Sequence, residues 1–114
     1  MATLALRTVI ATIQAGQLTM AIQREELPLE GCVTYATRQN PRRLYLFVSK
    51  VLGKHWPARP RVMRDVHCRL AAKIAHLPGP MLVIGLAETA TVLGRGVAEE
   101  AALLTGRDDI LYLQ

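Results

Sequence analysis

Aromatic side chains are scarce in this chain: they make up 4% of its 114 residues, with a single Trp and a single Phe. So small a supply leaves few flat surfaces on which nucleic-acid bases stack, and no helix-turn-helix, RRM or zinc-finger pattern makes up for it. There are only two cysteines, Cys32 and Cys68, and neither sits in a CxxC or Cys/His spacing. An intracellular chain keeps such thiols reduced, so both are expected to be buried or idle. Uninterrupted apolar runs fall far short of the roughly 18 residues that cross a bilayer. The first residues lack the basic-then-apolar build of a signal peptide. The expectation is a soluble cytoplasmic protein with no membrane partner.

Acid is the next absence, and it is local. Between positions 38 and 73 ten of the 14 basic residues, among them Arg42, Arg43, Lys50 and Lys54, meet one carboxylate, Asp65. The chain as a whole carries a formal charge of +5. Such a segment is built to meet anions, either nucleic-acid phosphates or a phosphorylated small molecule, and the shortage of aromatics counts against the first. For any one of these arginines a solvated helix face is the plainer role. What is abundant is apolar: 51% hydrophobic against 20% charged residues excludes a disordered chain. At this length one core is all the chain supports, hiding about 60 to 70% of its unfolded surface.

Periodicity gives a coarse map. Residues 8–14 and 17–24 alternate apolar and polar about the turn "AGQ", which predicts a β-hairpin. In "NPRRLYLFVSKVLGK", Asn40 suits an N-cap and Pro41 a first helical position. Leu44, Phe47, Val48, Val51 and Leu52 then follow helical spacing, and Gly53 closes the helix. A second amphipathic helix is predicted over 62–77, on Val66, Leu70 and Ile74, between the loop "HWPARP" and the stop "PGP". Residues 81–85 read as a buried parallel strand, 86–91 as a loop, 92–104 as a helix and 109–113 as a strand. Together they form a βαβ unit. No internal repeat is visible.

Ligands of such units bind at the carboxyl end of the strand, where a helix N-terminus offers unpaired N–H groups. The loop "AETAT" is therefore an anion site by position, although it is neither a Walker motif nor a dinucleotide fingerprint. Thr89 and Thr91 offer hydroxyls to phosphate oxygens. Glu88 would repel a bare phosphate, so if it faces the ligand it needs a Mg²⁺ ion or an Arg between them. Helix capping is the other role open to all three.

The stretches "RQNPRRLYLFVSKVLGKHWPARP" and "VIGLAETATVLGRGV" resemble, across nearly the whole of residues 17–114, the phosphoribosyltransferase-like family of bacterial tellurite-resistance and stress gene clusters. The resemblance implies a type I phosphoribosyltransferase, similar to orotate phosphoribosyltransferases. Its expected fold is α/β: an N-terminal hairpin and basic helical hood over 1–80, then the first, incomplete part of a Rossmann-like parallel sheet over 81–114. It implies that Ala87, Glu88, Thr89, Ala90 and Thr91 contact the pyrophosphate of PRPP, with Mg²⁺ as cofactor. Arg42, Arg43, Lys50, Lys54 and His55 become candidate contacts to a nucleobase-like substrate. Family members continue into a V-D-D-E…T-G motif resembling the loop that binds the ribose and 5-phosphate. Residues 1–114 hold no such motif, since Asp108 and Asp109 precede a strand instead of following one. The expectation is an N-terminal portion, inactive alone, that forms a homo-oligomer or pairs with a complementing chain. A non-catalytic PRPP or nucleotide-binding regulator is the alternative, and a nucleic-acid-binding module the next.

Overall fold

The computed structural model describes residues 6–114; residues 1–5, on which part of the leader reading rests, lie outside them. Contacts divide the chain into two units, residues 1–50 with 55–57, and residues 51–54 with 58–114.

The first unit is built from two hairpins. Strands β1 (Arg7–Ile13) and β2 (Gly16–Ile22) pair antiparallel, with Ile13 opposite Gly16 across a two-residue turn. This is the hairpin that the alternation predicts. Val9, Ala11, Ile13, Leu18, Met20 and Ile22 lie on its more sheltered face, because the side-chain period of a strand is two. A short helix α1 (Leu29–Cys32) leads into β3 (Val33–Thr37), which pairs antiparallel with β4 (Tyr45–Ser49). Arg7 ties β1 to the α1 region. Its guanidinium reaches Glu25 at 2.6 Å and Glu30 at 2.7 Å, and Glu25 also accepts the Leu29 N–H at 2.9 Å.

β4 corrects the sequence reading, which placed a helix over 41–53 as part of a helical hood. Asn40 and Pro41 open a β-turn instead. The Arg43 N–H donates to Asn40 O at 3.1 Å, and the Arg42 N–H to Asn40 Oδ1 at 2.9 Å. Three residues of the run Tyr45, Leu46, Phe47, Val48 are aromatic or β-branched. The run gains partners across the ladder, Phe47 opposite Tyr35 and Val48 opposite Thr34, that a lone helix would not give it.

In the second unit α2 (Pro60–Ile74) starts with Pro60 at a position where a missing N–H costs nothing. Ala71, Val97 and Ala101 form the buried core between α2 and α3 (Thr91–Thr105), with Ile74, Leu93 and Ile110 packed on it. Of the expected face of α2, Ile74 packs on this core and Val66 is half-buried, but Leu70 is 37% exposed and Ala71 is fully buried in its place. Small residues allow this close packing, and at Gly96 an added Cβ would overlap the His67 ring of α2. Strands β5 (Met81–Ile84) and β6 (Ile110–Leu113) pair in parallel with α3 between them in sequence, which is the predicted βαβ unit. Gly106, at φ +68°, ends α3 in the left-handed region and donates its N–H to Ala102 O at 2.9 Å. The β5–β6 sheet alternates, in place of the continuous burial expected. Leu82, Ile84, Leu111 and Leu113 share an open face and are each more than half exposed. Among the described residues the architecture is mixed α/β with three two-stranded sheets.

Candidate functional site

The loop that follows β5 is held at both ends. On the strand side the Gly85 N–H donates to Leu113 O at 2.9 Å, extending the ladder one residue past β5. On the helix side Tyr112 of β6 donates its hydroxyl to Thr91 O at 2.8 Å. Gly85 and Gly94 meet between these anchors. A Cβ on Gly94 would stand 2.9 Å from the Gly85 Cα and 3.0 Å from the Tyr112 ring, so glycine is what lets α3 start this close to the end of β5. The peptide between Ala87 and Glu88 is cis.

Residues 86–89 are exposed, and Ala90 takes the N-cap position of α3. The Thr91 N–H turns back to Glu88 O at 3.3 Å and the Gly94 N–H to Ala90 O at 2.8 Å. No side-chain hydrogen bond caps the helix. The capping role open to Glu88, Thr89 and Thr91 is therefore unfilled, and the amides of Val92 and Leu93 stand at a bare helix start with the positive end of its dipole. Glu88, 91% exposed, is approached by Lys54 Nζ at 3.6 Å, a loose pair of the kind that contributes little.

Of the residues singled out from the sequence, Ala87, Glu88, Thr89, Ala90, Thr91 and Lys54 belong to the second unit, where Lys54 and Glu88 meet. Arg42, Arg43, Lys50 and His55 belong to the first. Arg42 and Arg43 occupy the turn between β3 and β4. Lys50 donates to Glu30 O at 2.9 Å, and its ammonium lies 5.8 Å from the centre of the Trp56 ring. Sequence reasoning passed over two residues beside the loop, an arginine and a histidine. A groove of about 260 Å³ at the start of α3 is lined by Thr91, Val92, Gly96, Gln114 and Glu99 together with His67 and Arg95. Arg95 was legible in "GRG", one turn into the helix. His67 was not, since it arrives from α2. Arg95 also pairs with Glu99 one turn on, at 3.1 Å.

Among the described residues no group of three His, Cys, Asp or Glu side chains gathers to hold a metal. In residues 87–91 Glu88 is the single carboxylate. One carboxylate suffices for Mg²⁺ when phosphate oxygens and water fill the rest of its octahedron. Both cysteines are free and half-buried. Cys68 donates to Glu100 Oε2 at 3.3 Å, and that bond, with burial second, raises its pKa and keeps the thiol protonated. No described helix is long and apolar enough to cross a membrane.

No curated protein and no solved structure matches the chain significantly. A family model described as phosphoribosyl transferase matches residues 32–114. The match begins after the first hairpin, later than the resemblance at 17–114 implied, and it takes in the β3–β4 hairpin and all of α2, β5, α3 and β6. On that match the chain belongs to the phosphoribosyl transferase family.

Proposed function

We propose that residues 87–91 and the first turn of α3 form the diphosphate-binding part of a phosphoribosyltransferase acting on PRPP and a nucleobase-like acceptor. On this reading the β5–α3–β6 unit begins a type I, Rossmann-like parallel sheet. The observation that carries the reading is the uncapped start of α3. Its free amides, two adjacent hydroxyls and helix dipole lie within a stretch matched by the family model.

In the transfer, the bond between ribose C1 and the diphosphate oxygen breaks, the diphosphate leaves with the electron pair, and the acceptor nitrogen bonds to C1. The ribose becomes cation-like on the way, so charge accumulates on the leaving diphosphate. The amides at the start of α3 and the hydroxyls of Thr89 and Thr91 hold that charge, with Arg95 beside the groove. Mg²⁺, when bound, neutralises diphosphate charge, and Glu88 is the residue that would hold it. Lys54 would then exchange its weak pairing with Glu88 for the phosphate. Arg42, Arg43, Lys50 and His55 remain candidate acceptor contacts. We assign the chain to a homo-oligomer or to a complex with a chain that supplies the ribose-phosphate loop. The tellurite-resistance and stress setting belongs to the resemblance alone.

Calorimetric titration of pyrophosphate tests the loop, with and without Mg²⁺, in the wild type and in Thr89→Val/Thr91→Val. The expected result is weak binding that Mg²⁺ strengthens. The double variant should lose about 1.5 to 3 kcal/mol for each hydrogen bond to the charged ligand. Equal affinities for the two proteins, with melting unchanged, would remove the loop as a diphosphate site.

A further inference from the structure

The few aromatic residues of this chain are not scattered. Three of the five lie together in the first unit, on one face of the β3–β4 hairpin. Phe47 is at the centre. Its ring meets Tyr35, its cross-strand partner, edge-on at 5.8 Å between centroids, and Tyr45, two residues back on the same strand, at 5.4 Å. Phe47 is nevertheless 56% exposed, so the cluster holds its ring in place without covering it.

Positive charge borders this surface at the turn. The turn that joins the two strands carries Arg42 and Arg43, with Arg38 at its start, and the Arg43 guanidinium lies 5.8 Å from the centre of the Tyr45 ring. Among the described residues no carboxylate pairs with Arg38, Arg42 or Arg43. The three acids of this unit are engaged elsewhere: Glu25 and Glu30 on Arg7, and Glu26 on Arg24.

We propose that the exposed Phe47 ring and the Arg38, Arg42 and Arg43 turn of the β3–β4 hairpin form a binding surface for single-stranded nucleic acid. The ring takes an unpaired base by stacking, and the guanidiniums take the flanking phosphates. A duplex keeps the faces of its bases inside the stack and would find only the arginines. An acidic peptide would likewise leave the ring unused. A mononucleotide brings one phosphate to three cations. This surface uses none of residues 87–91, so it stands or falls separately from the diphosphate loop.

The experiment is fluorescence anisotropy of the full chain with a labelled single strand of about 12 nucleotides, within the usual span of such sites. The same strand annealed to its complement and a nucleoside monophosphate competitor serve as comparisons. Phe47→Ala should weaken binding about 5- to 100-fold. Arg42→Ala/Arg43→Ala should flatten the plot of log affinity against log salt by about 1.4, the contribution of two phosphate contacts on a single strand. Phe47→Leu keeps apolar bulk over Tyr35 and Tyr45 but has no ring face, so its loss of binding with an intact melt separates stacking from folding, and Phe47→Trp should restore binding. Duplex binding as tight as single-strand binding, full competition by an equal concentration of mononucleotide, or Phe47→Leu binding as the wild type does would each overturn the proposal.

Discussion

Arg7 shows how much one residue can organise in a small unit. Its guanidinium is shared by two carboxylates that come from 18 and 23 residues along the chain, so it joins the first strand to the segment that starts the second hairpin. The hydrogen bonds from Arg7 hold Glu30 down at about 2 against an ordinary value of 4.5. The same guanidinium, with the Leu29 amide second, lowers Glu25 as well. A carboxylate lowered on folding stabilises the fold above its unfolded value, and that contribution disappears as the pH falls through the folded one. For Glu30 the window runs from about 4.5 down to about 2. Glu30→Gln should therefore melt below the wild type near about pH 7, and the gap should close as the pH approaches about 2. Thermal melts across that range, at low salt because the pair is partly exposed, check it. A gap that stays constant with pH would show that the carboxylate charge contributes nothing.

At the scale of elements, the βαβ unit and the first hairpin were legible and the second hairpin was not. Both legible elements carry a signal of their own: the alternation of Leu18, Met20 and Ile22 in the hairpin, and in 91–105 a helix longer than any strand. The segment 44–52 fits a helical stripe and a strand equally, because a short apolar run has no period of its own. The choice was made by Val33–Thr37, a partner that lies on the other side of a turn. At the site, the start of α3 could be read from loop position, whereas His67 came from another helix and left no local signal. Gly94 is a case where local preference and packing disagree. Alanine in a helix interior is ordinarily better than glycine by about 1 kcal/mol. Here its Cβ would press on the backbone of Gly85 and on Tyr112, each of which is held by a hydrogen bond. Gly94→Ala should destabilise by about 1 to 3 kcal/mol in urea titration. Gly96→Ala, whose nearest contacts are to the side chain of His67 and not to backbone, should cost less. A more stable Gly94→Ala would show that β5 and α3 are not in the close register described.

For the molecule as a whole, the sizes of the buried residues matter most. The core of the second unit consists of alanines and one valine, while Leu82, Ile84, Leu111 and Leu113 of β5 and β6 face outward. Parallel strands are normally covered on both faces, and an open two-stranded sheet with an apolar face is seldom tolerated alone. Light scattering at micromolar concentration should therefore give a mass above the 12.6 kDa of one chain. Leu82→Asp/Leu111→Asp should return it to that value. A wild type that is monodisperse at 12.6 kDa and melts cooperatively would contradict this.

The loop fastened at Gly85 and at Thr91 has one more consequence. Because both of its ends are hydrogen-bonded to β6, and the Ala90 N–H donates to Leu86 O at 3.0 Å, only residues 87–89 lie between the pinned positions. At about 1 to 2 kcal/mol per residue fixed, the ordering cost is that of a tripeptide and not of a long mobile lid. Binding there resembles closing a hand whose wrist is already held, so even a few weak contacts to a small anion are enough to be felt.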